Sequence, residues 1–505
     1  MKSASSRFDV HSTPGCFGPV VTLLAALLAV FASGCGGGGS ETGATFSGNT
    51  TVTLFLTGTA NDVLTSFPAG FDSLTLTNKT GATVQLLSSQ ISADFIHQNG
   101  TAHPEFTLSI PQGVYVSATA SYTGGGYLCE NIASNGDYNH QIFGYNIPEP
   151  NLPVTLPAPI TIAGSSMGLL LNLAVSQSLS PDSCPTSDGE MQTQTIQPDL
   201  VLTPMTLAAQ PTNSANGLAL NQQGMIASID SGAEEFSVNN IYDSFAGQVT
   251  VSRNTAYQGV AGFSDIAAGM PVEIDEAVQA DGSLVATRIQ VYDKDTNTLS
   301  VNIGPLLSTN YTLENATIEV PNLLHVARIA VRGTVPVEDI CQVPDWKDSN
   351  AVFQVSGELS NLSSLPFPAR FDAASVAPGQ LVAATTHDSL NVCLAENRYS
   401  SAATITLLPQ TIDGTVEAVS GEGGFATYTI RLAPYDLFPV MGSQPNQVLP
   451  VANPDIVVVY ADSNTQMLNT SPIAIGNVAR FYGLVFNDNG TLRMDCAQIN
   501  DGVAE

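Results

Sequence analysis

Four groups of residues in this chain have types and spacings that could do chemistry. Gly164–Ser165–Ser166–Met167–Gly168 has the G-x-S-x-G spacing of a nucleophile elbow. In such an elbow the serine sits on a sharp turn between a strand and a helix, with an acid and a histidine supplied later in the chain. The strand-like run PITIA precedes it, but the chain upstream reads as β only, and His325 and His387 lie in distant segments. A strand-to-strand turn is expected there, with a serine hydrolase using Ser166 as the alternative. Asp293, Asp295 and Asn297 in YDKDTNT open like a calcium loop, yet Thr298 stands where glycine belongs and Gly304 where glutamate belongs. A polar hairpin is the expectation, and an irregular calcium site completed by backbone carbonyls is the alternative. His97 and His103 near Glu105 lack ligand spacing and read as a surface loop. Tyr122, Tyr127, Tyr138 and Tyr145 crowd around the Gly124–Gly126 turn and Cys129. Their rings could stack on a sugar; packing in a core explains them equally well.

The elements that must position these groups are strands. TVTLFLTG places Val52, Leu54 and Leu56 on one face, and TRIQVYD does the same with Ile289 and Val291. ADGS at 280–283, GEGG at 421–424 and NDNG at 487–490 supply turn chemistry between such runs. Short alternating strands separated by Gly, Asn and Asp predict an all-β chain of sandwiches or barrels. A first domain is expected over residues 49–206. SIPQGVYVSATASY, FDSLTLTN and PAPITIAGSSMGLLLNLAVSQS, together with TVTLFLTG, resemble the β-sandwich of the bacterial domain of unknown function 4382, and an unrelated Ig-like sandwich would show the same pattern.

An internal repeat follows. QQGMIASID at Gln222, VRGTVPVED at Val331 and IDGTVEAVS at Ile412 open alike, and Gly269, Gly379 and Gly476 each precede a later strand. The order is similar to the small OB-like barrel called domain of unknown function 5666. That resemblance rests on Gly224, Gly269, Val272, Asp281, Gly282, Leu284 and Ala286 in the first copy, and on Gly414, Gly476 and Asn489–Gly490 in the third. The second copy lacks the D-G hairpin and carries an insertion around Cys393. The fold expected is therefore an N-terminal Ig-like β-sandwich followed by three OB-like barrels at 216–296, 328–410 and 411–505, with 297–327 as a linker or β-hairpin insertion. Glycines at hairpins and bulges would supply positive φ. The first barrel, with its charges read as lying mostly at turns, is expected to fold alone and to touch its neighbours only modestly.

Composition limits the partners. With 44 Asp plus Glu against 14 Lys plus Arg, the formal net charge is −30, which repels phosphate backbones and argues against nucleic acid. An apolar run from Val20 to Phe31 is far shorter than the ~20 residues that span a bilayer, and it matches a secretory signal core. Ala32, Ser33, Gly34 and Cys35 follow it, resembling the lipobox of bacterial lipoproteins, although Ala32 replaces the usual leucine. The resemblance implies a signal peptide over 1–34, diacylation of Cys35, and a Gly/Ser-rich tether over 35–48. Export permits disulfides. Cys129 with Cys184, and Cys341 with Cys393, would each close a loop within one expected domain, while Cys496 is left as a buried small apolar residue. The expected function is a non-enzymatic, lipid-anchored envelope protein, periplasmic or surface-facing on the outer membrane. Its β modules would bind or space an envelope glycan or protein. No cofactor is implied beyond possible calcium, whose functional counterpart would be a calcium-stabilised adhesion module.

Overall fold

A computed structural model describes residues 46–502, apart from 61–63, 124, 133–137, 148, 150, 180–191, 243–245, 297, 299, 312–315, 323–324, 340–342, 360–361, 388–398, 423, 434–435, 443–450 and 470–471. The signal, Cys35 and most of the tether lie outside the described residues, as do Cys184, Cys341, Cys393 and Asn297. The described chain is nearly all strand, and residues Ser47–Glu505 form one compact unit. Among the described residues no helix is long and apolar enough to cross a membrane.

The N-terminal part is a β-sandwich. Asn49–Thr59 pairs antiparallel with His103–Pro111 and parallel with Ser166–Ala174, and Leu200–Met205 completes that sheet. Pro68–Asn78 and Gly113–Thr123 are the centre of a second sheet. Because strand side chains alternate between faces, Val52, Leu54 and Leu56 meet Leu74, Leu76, Ala118 and Ala120 in one core. The opposite face is also covered. Phe55, fully buried, packs with Ala102 and Met205 against Val278 and Leu284 of the next module.

Two OB-like barrels share one topology. In the first, Leu218–Asp230 pairs with both Glu235–Asn240 and Pro271–Val278, and Ala246–Thr250 runs parallel to Leu284–Val291 to close the sheet on itself. In the third, Gln410–Glu422 pairs with Phe425–Leu432 and Val478–Asp488, and Ile456–Ala461 closes in parallel on Thr491–Asp501. The repeat is exact enough to superimpose hydrogen bonds. Gly269 N–H donates to Ile226 O at 2.8 Å, and Gly476 N–H donates to Val416 O at 2.8 Å. Both glycines have the positive φ expected of them, 89° and 85°. Gly224 and Gly414 are glycine for another reason, close approach of strands. A Cβ would stand 2.2 Å from Val238 Cγ1 in one and 2.5 Å from Arg431 O in the other.

The middle module departs from this plan. Ser300–Pro305, in the segment read as linker or hairpin insertion, takes the place beside Leu381–Thr386 that the first strand holds in the other two. Its alternating Val301 and Ile303 are buried there. His325–Asp339, the strand containing VRGTVPVED, pairs instead with Ala316–Asn322 and Val343–Asn350 and in parallel with Tyr399–Leu407.

Each of the two barrels has a core cluster of its own, but apolar clusters also run across the module boundaries, so the contacts are more than modest and correct the expectation of near-independent units. Val382, Ile405 and Leu407 of the middle module form one apolar cluster with Tyr460, Leu484 and Phe486 of the third.

Candidate functional site

Among the described residues, none of the four groups singled out from spacing forms an open reactive site. Ser166 opens the strand Ser166–Ala174 and pairs in register with Thr51, so a strand, not a helix, follows it. Tyr122, Tyr127 and Tyr145 are inside the sandwich core, 4%, 0% and 5% exposed. The Tyr122 and Tyr145 hydroxyls are 2.8 Å apart, Tyr145 donates to Pro68 O at 2.7 Å, and Phe67 stacks on both Tyr127 and Tyr145. Their faces are thus spent on one another, and burial raises the pKa of Tyr122 well above that of a free phenol, helped by Tyr145. Tyr138 lies in the strand Tyr138–Asn146, opposite Ile132. Cys129 is fully buried and disulfide-bonded. The other described cysteine, Cys496, is free and buried, so the partner of Cys129 lies outside the described residues.

The acidic loop holds a histidine. Asp293 Oδ2 lies 2.7 Å from His387 Nε2 and accepts from the Thr298 and Thr385 hydroxyls at 3.2 Å, while Asp295 Oδ2 is 3.8 Å from His387 Nδ1. Asp293 Oδ1 accepts from Asp295 N–H, an Asx turn.

His103 and Glu105 are buried and the His97 residue is half-buried with its side chain turned inward, so the three are not a surface loop. Asp94, with no exposure, accepts from Ser66 Oγ at 2.6 Å and from the Phe67 and Ile96 N–H groups. Its carboxyl stays below the usual range although burial opposes this, because His97 stands beside it, Nδ1 to Oδ2 3.2 Å, and these donors favour the anion. The His97 ring lies flat on Tyr242 of the first barrel, centroids 3.6 Å apart, and both side chains reach Ile303 O of the middle module. One carbonyl thereby joins three modules.

The densest chemistry is where the outer face of the first barrel meets the other modules. In Pro271–Val278, Val272 and Ile274 point into the barrel core, so Glu273 and Asp275 point out. Yet all eight residues of the strand are buried. Arg288, directly across from Asp275, lies between the carboxylates. Its Nε donates to Asp275 Oδ2 at 2.7 Å, its Nη2 reaches Glu273 Oε1, and its Nη1 donates to Gln290 Oε1 at 3.2 Å. Glu358 of the middle module approaches the same guanidinium at 3.9 Å. Tyr292 donates to Glu273 Oε2 at 2.8 Å, Ser356 to Glu273 Oε1 at 3.1 Å, Asn221 N–H to Asp275 Oδ1 at 3.1 Å, and Tyr482 of the third barrel to Glu358 Oε2 at 3.0 Å.

Burial disfavours the charge on Arg288, but Asp275 and Glu273 outweigh it and hold the guanidinium pKa well above its ordinary value. Burial and then the Asp275 charge push the Glu358 carboxyl well up. The oxygens of Glu273, Asp275 and Glu358 lie within 4.8 Å of one another, a spacing that could hold a cation. Here Arg288 supplies the positive charge, and hydroxyl and amide donors take up the oxygens, so the arrangement is a satisfied ion-pair network that ties three modules.

A cavity of about 120 Å³ opens beside this network, between the first strands of the two barrels and the 96–101 loop of the sandwich. Asn221, Gln223, Thr411, Asp413 and Tyr482 line it with His97 and Thr101, and apolar side chains including Ile412, Leu432 and Phe438 complete the wall.

Spacing could not reveal these groups. Their ligands come from strands far apart in sequence, and the one local signal was two carboxylates alternating with Val272 and Ile274 opposite an arginine.

Residues 223–290 match the family described as domain of unknown function DUF5666. The first barrel is the part so matched. No curated protein matches the chain. A solved structure described as drosophila Unr CSD456 is similar over 57% of this chain and 98% of its own, at 10% identity and a TM-score of 0.12. At that score the likeness says nothing about fold or ligand here.

Proposed function

We propose that this is an exported, lipid-anchored, non-enzymatic protein of a bacterial envelope, a rigid β body that spaces or presents a binding surface away from the outer membrane. The sandwich's resemblance to the domain of unknown function 4382 and the lipobox around Cys35 belong to the same reading. The observation that carries it is the order along the chain: an apolar run ending at Cys35, a glycine tether, then one compact unit from Ser47 onward. A flexible Gly/Ser segment lets a rigid body move about its anchor, and acyl chains on Cys35 hold it by ~0.8 kcal/mol per buried CH₂. The non-enzymatic reading is supported by the acidic cluster Glu273, Asp275 and Glu358 found among the described residues, which is taken up by internal pairing at Arg288. The charge of −30 disfavours nucleic acid as a partner and leaves an envelope glycan or protein.

Gly36 follows the cysteine in place of the aspartate that retains some lipoproteins in the inner membrane, which favours the outer one. Cys35→Ala should release the protein from the membrane fraction, and mass spectrometry of the wild type should find acyl chains on Cys35. A wild type without lipid whose Cys35→Ala variant still sediments with membranes would end this reading.

A further inference from the structure

We propose that the cavity between the two barrels and the sandwich binds a small neutral or cationic molecule, a ring-sized apolar body carrying a hydrogen-bond donor. This goes beyond the anchoring reading and is independent of it, since it requires no lipid.

The position of Asn221 is the first observation. The register of Leu218–Asp230 against Pro271–Val278 shifts between Ala219 and Gln222, and Asn221 sits in that bulge with φ of 63°. A bulge re-aims a side chain, and asparagine is among the few residues that tolerate the left-handed region. The equivalent residue of the third barrel, Thr411, pairs regularly with Tyr482. The irregularity is therefore specific to the barrel whose strand turns its amide toward the cavity wall.

The second observation is what that amide leaves over. Asn221 is 7% exposed, and its Nδ2 donates to Tyr482 Oη at 2.9 Å. Tyr482 uses its own hydrogen on Glu358, which fixes the orientation of the amide. Asn221 Oδ1 is then a buried acceptor without a partner. On the sandwich side of the same lining Thr101, 3% exposed, has a hydroxyl in the same condition. Buried polar atoms are seldom left unpaired, and where they line a cavity a bound donor or ordered water completes them.

Size and charge narrow the occupant. A dry cavity near 150 Å³ accepts benzene, so the ~120 Å³ here suits a single ring. Asp436 on the lining, and Asp413, which pairs across the strands with Arg480, stand in a chain of charge −30 that disfavours anions. Benzylamine and phenol satisfy these conditions; benzoate has the ring but the wrong charge, and toluene has no donor.

The full-length protein in detergent should be titrated with these four probes by calorimetry and saturation-transfer NMR at millimolar concentrations. Saturable binding of benzylamine or phenol, with benzoate silent and toluene weaker, is expected. Asn221→Gly keeps the left-handed backbone and removes the acceptor, and Thr101→Val removes the hydroxyl at nearly constant volume. Each should weaken the donor-bearing probe by about tenfold, and Ala60→Leu, which fills the cavity, should abolish binding while the circular dichroism spectrum is retained. Absence of saturable binding by both donor probes, equal binding of benzoate, or indifference to all three variants that remain folded would overturn the proposal.

Discussion

The first and third barrels have the same strands in the same order, and equivalent positions can be read from their registers. Gly224 stands opposite Val272 as Gly414 stands opposite Ala479. It follows that Ile274 corresponds to Phe481, both buried in their cores, whereas Asp275 corresponds to Tyr482 and Arg288 to Gln498. Inward positions repeat in kind and outward positions do not. The outward positions are where the modules interlock: Tyr482 from the third barrel reaches Asn221 of the first and Glu358 of the middle module. A small barrel can be copied with its glycines and core alternation intact, and it acquires a specific neighbour by changing a few residues on one outer face.

The largest expected effect separates these two kinds of position. Arg288→Met removes the cation that, among the described residues, lies between Glu273, Asp275 and Glu358, and leaves buried carboxylates uncompensated, which should cost about 3–5 kcal/mol in urea denaturation of the full chain. A loss below about 1 kcal/mol would mean that the network is solvated and the modules are only loosely joined.

At the shared positions the two barrels should behave alike. Gly224→Ala and Gly414→Ala each force a Cβ against the neighbouring strand and should each destabilise by about 1–3 kcal/mol. If only one of them does so, the equivalence read from the registers is mistaken.

The outer faces should also respond differently to pH. Burial and Asp275 raise the Glu358 carboxyl, so the folded state holds a proton that the unfolded chain releases. Stability from this group is present below the ordinary glutamate range and is lost as pH rises through the folded value. Glu358→Gln should flatten that decline. Asp495 of the third barrel, raised to about 6 by burial and by Asp462, should add a smaller decline between the ordinary aspartate range and that value, removed in Asp495→Asn. Stability that instead rises with pH across this window and is unchanged in both variants would contradict the assignment.

The smallest effect is expected at Asp281, in the hairpin closing the first barrel. Asp281→Asn should change stability little, since an amide oxygen can still accept from the Ser283 N–H and hydroxyl, whereas Gly282, at φ 86° and with a Cβ position 2.2 Å from Thr107 Oγ1, should not tolerate valine. Comparable losses in the two variants would show that the turn is not held by its left-handed residue.

The all-β class, the sandwich before the barrels and the glycine-marked repeat were legible because they are local. Alternation decides which face of a strand is apolar, and turn glycines announce themselves. Cys496, too, reads correctly as a buried thiol. What eluded the sequence depends on which surfaces meet. Glu273 and Asp275 look like the solvent face of an amphipathic strand, and His97 looks like a loop residue, until Glu358, Tyr482, Tyr242 and Ile303 cover them from segments far along the chain. The middle module was misread for a related reason. VRGTVPVED carries the pattern of a first strand, but a nearer apolar strand, Ser300–Pro305, occupies that place beside Leu381–Thr386.

The central claim is that the interlocked outer faces make these modules one cooperative body. It is tested most directly by hydrogen exchange of the full chain across a urea series, read by mass spectrometry on peptides from Pro271–Val278 and Val478–Asp488. Protection in the two strands should be lost at the same urea concentration, and Arg288→Met should lower both midpoints together. Two well-separated midpoints in the wild type, with one barrel open while the other stays protected, would contradict it.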